Sequence, residues 1–271
     1  MKQGRLLIVA GSDSSGGAGL QADIKTAMLC GAYAMTAVTA VTVQNTQGVS
    51  AVHGIPPEII AAQIDAVMQD IDADAVKTGM LGDVATIHAV ADALRPYVQE
   101  GARALVVDPV MRAKGGAALL AEDAVDALRT ALLPLATLIT PNIPELEALS
   151  GKALETNKDV EAAALALAQH YGCAVLAKGG HMQGVDLIDR LVQPDGRVQI
   201  WQATRIDTQH THGTGCTMAS AIASGLALGQ SLEDAITHAH ALVRAGIEAA
   251  PHFGKGHGPL GHHLLRAAFK A

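Results

Sequence analysis

The chain predicts an α/β protein built on a mostly parallel sheet with helices on both faces. Three observations carry that prediction. Short apolar, β-branched runs alternate with stretches of helical periodicity, the pattern of repeated strand–helix–strand crossovers. Polar or glycine residues recur just after those runs, at Asp13, Gln44, Asp108, Asn142 and Lys178, where open α/β sheets bind ligands. The 271 residues are 49% hydrophobic, enough for one large core, and no linker, repeat or low-complexity run divides them. Residues 1–271 therefore read as a single domain.

Each element has a local reason. Arg5–Ala10 is an apolar strand that runs into the glycine-rich loop Gly11–Gly19, and a helix follows to Leu29. Val38–Val43 is β-branched and ends in Gln44, and Val49–Ile55 reads as another strand. Pro56-Pro57-Glu58 opens a helix with proline in its first turn. Ala75–Gly79 and Ala104–Val107 are short buried strands, with a helix over Val84–Leu94 between them. A helix is expected over Asp123–Leu133, a strand over Leu135–Ile139, and helices over Ile143–Leu149 and Lys158–Tyr171. Ala174–Ala177 is a strand ending in Lys178, and Pro194-Asp-Gly196 turns a hairpin between Asp186–Val192 and Val198–Ala203. Two helices close the pattern: one opened by His210–Thr217, the other over Ser231–Ala249.

Bulk properties narrow the function. A net charge of −7 argues against nucleic acid or an anionic membrane as partner. No stretch is long and apolar enough to span a bilayer, and the N-terminal run lacks a cleavage site, so a cytoplasmic protein is expected. Three scattered cysteines, Cys30, Cys173 and Cys216, make neither a disulfide framework nor a zinc knuckle and suit a reducing compartment. The twelve histidines show no helical i, i+4 ligand pair.

The chemistry centres on His210-Thr-His-Gly-Thr-Gly-Cys-Thr217. A glycine-rich turn that opens a helix presents unpaired N–H groups and the positive end of the helix dipole, and so reads as an anion site. Cys216 lies in that field. It reads equally as a residue whose thiol shifts toward neutral pH or as a small side chain in a crowded turn. Asp108 and Glu145 are strand-end carboxylates of the kind that hold Mg²⁺ beside phosphates, or else a turn cap and a helix-start acid. Lys178 can reach a phosphate, and Met111–Gly116 resembles a flap carrying two cations, Arg112 and Lys114. Gly11–Gly19 lets backbone approach a small ligand, with Asp13 or Asp23 as an acceptor. It fits neither the dinucleotide nor the Walker fingerprint, which weakens an oxidoreductase reading. Gln44 offers a donor and an acceptor that match the edge of an aminopyrimidine, or it bonds backbone.

Taken in order, Gly11–Lys25, Gln44-Asn-Thr46, Val76–Leu81, Asp108–Met111, Thr140–Glu145, Lys178–His181, His210–Thr217 and Gly256–His262 resemble the hydroxymethylpyrimidine/phosphomethylpyrimidine kinases of thiamin biosynthesis. The resemblance implies a ribokinase-like three-layer α/β/α fold with a mostly parallel central sheet. It implies ATP- and Mg²⁺-dependent phosphorylation of 4-amino-5-hydroxymethyl-2-methylpyrimidine and then of its monophosphate. Gly11, Asp23, Gln44 and Met80 would line the pyrimidine pocket. Asp108 and Glu145 would serve the metal, and Asn142, Lys178 and Thr214 the nucleotide. Gly213, Gly215 and Cys216, with Lys178, would form the catalytic anion hole, in an enzyme that is commonly a homodimer. A pyridoxal/pyridoxine kinase of the same fold is the alternative. Many related sugar kinases carry an aspartate base where Cys216 stands. A neutral thiol there suits an enzyme that must also accept a dianionic phosphate.

Overall fold

The computed structural model describes residues 3–99, 103–121, 123–181 and 186–265. Nine strands form one sheet in the order β3-β2-β1-β4-β5-β6-β7-β8-β9. They are β1 (Arg5–Asp13), β2 (Tyr33–Asn45), β3 (Gly48–Gly54), β4 (Ala75–Thr78), β5 (Ala104–Val107), β6 (Leu138–Ile139), β7 (Ala174–Ala177), β8 (Asp186–Val192) and β9 (Val198–Thr204). The six strands from β2 to β7 in that order pair in parallel. β3, β8 and β9 add antiparallel edges.

Alternation along the buried strands divides two cores. Leu7 and Val9, with Val76, Leu105, Val107 and Val175, face a layer of α2 (Pro57–Asp70), α3 (Val84–Val98), α4 (Ala124–Ala127), α5 (Ile143–Ser150) and α6 (Asn157–Tyr171). Leu6, Ile8 and Ala10, with Ala75, Val106 and Leu176, face α1 (Gly19–Cys30), α7 (Thr214–Ala227) and α8 (Leu232–Glu248). The result is the three-layer α/β/α architecture. α7 is built almost wholly of small residues because it is enclosed by its neighbours: a Cβ at Gly225 would stand 2.8 Å from Ala235 Cβ on α8. No helix among the described residues is long and apolar enough to cross a membrane.

Two elements depart from expectation. β2 runs thirteen residues rather than six. Its first half pairs with β1 from Tyr33 onward, and its second half pairs with β3. The segment expected as one helix over Asp123–Leu133 keeps a single α turn, widens to a π turn over Leu128–Leu132 and tightens to a 3₁₀ turn over Leu133–Leu135. Pro134 lacks the N–H that another α turn would need. Leu135 goes into that 3₁₀ turn, so β6 shrinks to two residues.

Candidate active site

The chain order reverses at β1, which has β2 on one side and β4 on the other. Crevices at such switch points collect ligands at the carboxyl ends of the strands. A cavity of about 1250 Å³ opens there, and Gly11, Gln44, Met80, Asp108, Asn142, Glu145, Lys178, Thr214, Gly215 and Cys216 all line it. Gly213 lines it as well.

At one end, a Cβ on Gly11 would stand 3.1 Å from Met80 Sδ, so bare backbone is what leaves room beside the methionine. Gln44 caps the long β2. Its Oε1 accepts from Thr42 Oγ1 at 3.1 Å, and its Nε2 lies 3.4 Å from His212 Nε2. Asp13 is spent on the loop itself. Its carboxylate accepts from the N–H groups of Ser15 (2.8 Å), Gly17 (3.2 Å) and Ala18 (2.8 Å), and pairs with His212 Nε2 at 2.8 Å. Burial alone would raise its pKa, but the bonds from His212 and Ser15 hold it below the usual carboxylate range. The loop is thus shaped by an internal carboxylate rather than by one kept free for a ligand.

Asp23, expected at the pyrimidine, does not line the cavity. It is fully buried on α1, where it pairs with Lys77 at 2.8 Å and accepts from Ser220 Oγ at 2.7 Å. The correction has a simple cause. A carboxylate in the middle of a helix facing the sheet needs a partner, and β4 supplies a lysine.

At the other end, Gly213 takes φ +87° and starts α7. A side chain there would collide with the Gly17 carbonyl oxygen, so the two glycine-rich segments are pressed together. Thr214 N–H bonds Thr211 O, and the first intrahelical bond runs from Thr217 N–H to Gly213 O. The Gly215 and Cys216 N–H groups between them precede the helical ladder, at the helix end that favours an anion. A Cβ on Gly215 would stand 3.5 Å from Lys178 Nζ, which sets the lysine against this turn.

Of the two sequence readings of Cys216, the structure favours the small neutral side chain over the shifted thiol. Burial pushes it up to about 12, and Lys77 only partly opposes that. It is a neutral thiol at physiological pH. Cys30 and Cys173 are pushed up to about 11 and about 12 by burial and behave as core residues.

Asp108 follows β5 and accepts from Lys178 Nζ at 2.9 Å and Thr140 Oγ1 at 3.1 Å. Burial opposes the charge of Lys178, but Asp108 and Glu145 outweigh it and raise the ammonium's pKa. Asn142 and Glu145 form a capping box: Asn142 N–H donates to Glu145 Oε2 at 2.8 Å, and Glu145 N–H donates to Asn142 Oδ1 at 3.0 Å. Asn142 therefore positions Glu145 as well as lining the cavity. Burial pushes Glu145 up to about 7, with Lys178 opposing and Asp108 adding to the rise. Two buried carboxylates share one lysine here, a hard-oxygen set short of positive charge. No cluster of three or more metal-ligating side chains occurs among the described residues. The pair fits a Mg²⁺ ion whose remaining ligands are phosphates and water. Over the mouth, Met111–Gly116 folds into a small turn, with Ala113 N–H bonded to Ala117 O, and Arg112 and Lys114 reach the cavity.

Sequence reasoning missed Lys77 and the pairing of His212 with Asp13. The signal for the first was present: a lysine inside the apolar strand Ala75-Val-Lys-Thr78 must find a buried partner.

Fold and cavity together define a small-molecule kinase of the ribokinase-like class. A sequence model of phosphomethylpyrimidine kinase matches residues 13–261, and the chain belongs to that family. It is 49% identical over 263 residues to the thiamine biosynthesis bifunctional protein ThiED of Geobacter sulfurreducens, covering 97% of this chain but 53% of that protein. The chain thus spans about half the length of that relative. It is 47% identical to the hydroxymethylpyrimidine/phosphomethylpyrimidine kinase of Rhizobium meliloti, over 96% of this chain and 97% of that one. Among solved structures, an ADP complex of Bacillus subtilis pyridoxal kinase superposes with a TM-score of 0.86 at 35% identity, covering 96% of this chain and 97% of the other.

Proposed function

We propose that the protein moves the γ-phosphoryl group of ATP to the hydroxymethyl oxygen of 4-amino-5-hydroxymethyl-2-methylpyrimidine, and then to the phosphate of that product. One observation carries the reading: a single cavity joins the recess of Gly11, Gln44 and Met80 to the turn Gly213–Cys216 and Lys178. Gln44 meets the aminopyrimidine edge, where its amide donates to a ring nitrogen and accepts from the amino group. Asn142, Thr214 and Lys178 hold the nucleotide's phosphates. The acceptor oxygen attacks the γ-phosphorus in line, the bond to ADP breaks, and the N–H groups of Gly215 and Cys216 with Lys178 stabilise the charge in flight. A loose transition state asks little of a base, so the hydroxyl proton leaves late, to a phosphoryl oxygen. Cys216 stays a neutral thiol, which lets a dianionic phosphate take the acceptor's place in the second transfer.

Asp108 and Glu145 would hold Mg²⁺, which when bound neutralises the phosphate oxygens. The described domain works in the cytosol, where its three free cysteines stay reduced. It works as a homodimer. Val41, Val43 and Val52, exposed on the β2–β3 hairpin, supply an apolar surface for a second copy.

Incubation with ATP, Mg²⁺ and the hydroxymethylpyrimidine, with products resolved by chromatography, tests the reading. Monophosphate followed by diphosphate is expected, and the absence of both refutes it. The fold match to pyridoxal kinase supports a second reading. Competition between pyridoxal and the pyrimidine decides between them, with the pyrimidine expected to win because of Gln44.

A further inference from the structure

Lys77 is a cation inside the sheet, fully buried on β4. Its Nζ lies 2.8 Å from Asp23 Oδ2, and Ser220 Oγ donates to the other oxygen, Oδ1, at 2.7 Å. Apolar residues of similar volume often replace such a pair at no loss of stability. The pair therefore calls for a role besides holding the fold, and its surroundings supply one.

Ser220 stands four residues beyond Cys216 on α7, which puts both on one face of the helix. That face looks onto β4. Lys77 reaches the wall of the cavity, and a Cβ on Gly79 would stand 2.9 Å from its Nζ. Asp23, set one layer back on α1, does not reach that wall. The attraction Lys77 exerts on a negative charge at Cys216 exceeds the repulsion from Asp23, so the pair turns its positive end toward the turn. Burial opposes the lysine's charge, but the neighbouring carboxylates of Asp23 and Asp108 work against it, and the Lys77 pKa lies above its ordinary value.

We propose that Lys77, held by Asp23 and Ser220, is a positioning residue for phosphoryl transfer: its buried ammonium lies behind Cys216 and stabilises the charge that gathers at the turn. Lys178 meets that charge from the cavity side, and Lys77 supports it from within the protein. The inference rests on the kinase reading above. It reassigns Asp23 from a ligand contact to the anchor of a cation. Because the Lys77 ammonium is fully buried and held by Asp23, its effect falls on the transition state rather than on substrate affinity.

The test uses Lys77→Met combined with Asp23→Asn, which removes both charges and leaves no orphan ion. Three measurements are made: the melting temperature, kcat and KM for the hydroxymethylpyrimidine, and the rate of Cys216 carbamidomethylation by iodoacetamide at pH 9, followed by peptide mass spectrometry. With folding intact, kcat is expected to fall roughly 10- to 100-fold while KM stays within about twofold. The Cys216 alkylation rate is expected to fall about threefold or more, because the thiolate loses the cation that favours it most. A folded variant with unchanged kcat and unchanged alkylation overturns the proposal, as does a rise in KM alone. If the double variant does not fold, Ser220→Ala decides. Loosening Asp23 should lower kcat roughly two- to fivefold at constant KM, and an unchanged kcat overturns the idea. A wild-type enzyme that leaves the pyrimidine unphosphorylated, with alkylation of the double variant still slowed, refutes the kinase reading and supports the buried cation at Cys216.

Discussion

His262 should make this protein sensitive to mild acid through the turn that holds Cys216. The imidazole is buried just beyond the last strap of chain, and its Nε2 meets Thr217 Oγ1 at 2.9 Å in the first turn of α7. Burial, then the charges of Lys25 and His263, push its pKa down from 6.5 to about 4, while a backbone hydrogen bond with Leu260 works the other way. A depressed histidine stabilises the fold while it is neutral. The full contribution is present above the unfolded value near 6.5 and is lost as pH falls through the folded value near 4. The span of about 2.5 units corresponds to about 3 kcal/mol. His262→Gln keeps a neutral group that can bond Thr217 and cannot gain a proton. At pH 7 the variant should be about 1 kcal/mol less stable than the wild type, from imperfect packing and hydrogen bonding. Near pH 4 the order should reverse, because the wild type has lost about 3 kcal/mol that the variant never held. Urea unfolding of both proteins at several pH values between 4 and 7.5 measures the difference, in which the titration of the shared carboxylates cancels. Parallel stability curves would refute the reasoning.

Other expectations concern the site directly. Lys178→Met removes the cation from Asp108 and from the phosphate path; kcat should fall roughly 10²- to 10³-fold in a coupled ADP-release assay, and a loss under tenfold would contradict the role given to it. Gly213→Ala places a side chain at φ +87° against the Gly17 carbonyl. It should destabilise the protein by at least about 1–2 kcal/mol in thermal unfolding and suppress turnover, since both glycine-rich segments must move apart. Cys216→Asp adds a fixed negative charge beside the acceptor; the second phosphorylation should suffer at least about tenfold more than the first, and equal losses would sink the neutral-thiol idea. Gln44→Leu should raise KM for the pyrimidine roughly 10- to 100-fold, because the ring's polar edge is left unpaired, and an unchanged KM would remove Gln44 from the recognition site.

Where local chemistry decides, the sequence was legible. The short helix that carries Glu145 in its first turn, the hairpin at Pro194-Asp-Gly196 and the helix opened by Pro57 all stand where their residue types place them. The residues read at strand ends, Asp13, Gln44, Asp108, Asn142 and Lys178, line one cavity together with the helix-start turn at Gly213, although they come from different parts of the chain. What was not legible depended on partners far along the chain. Half of β2 owes its strand character to pairing with β1, which its Ala and Thr residues do not announce. The broken helix before β6 answers to Pro134 and to the leucines it must bury. Asp23 looked like a ligand contact because its motif lies beside a glycine loop; a lysine 54 positions later claims it. The charge state of Cys216, which the sequence left open, depended on its surroundings in the same way. A helix start and a nearby cation favour a thiolate, but burial of Cys216 outweighs both.

The tail of the chain acts as a clasp. Gly256 N–H bonds Thr46 Oγ1 across 210 residues, His257 N–H bonds Thr46 O at 2.8 Å, and His212 N–H bonds Gly258 O at 3.1 Å. One late segment thus ties the wall that carries Gln44 to the turn that carries Cys216. It adds to the direct contact of Gln44 with His212, which already joins the acceptor wall to the phosphate turn. The segment therefore couples the position of Gln44 to that of the Cys216 turn, so a change at Thr46 is felt on both sides of the cavity.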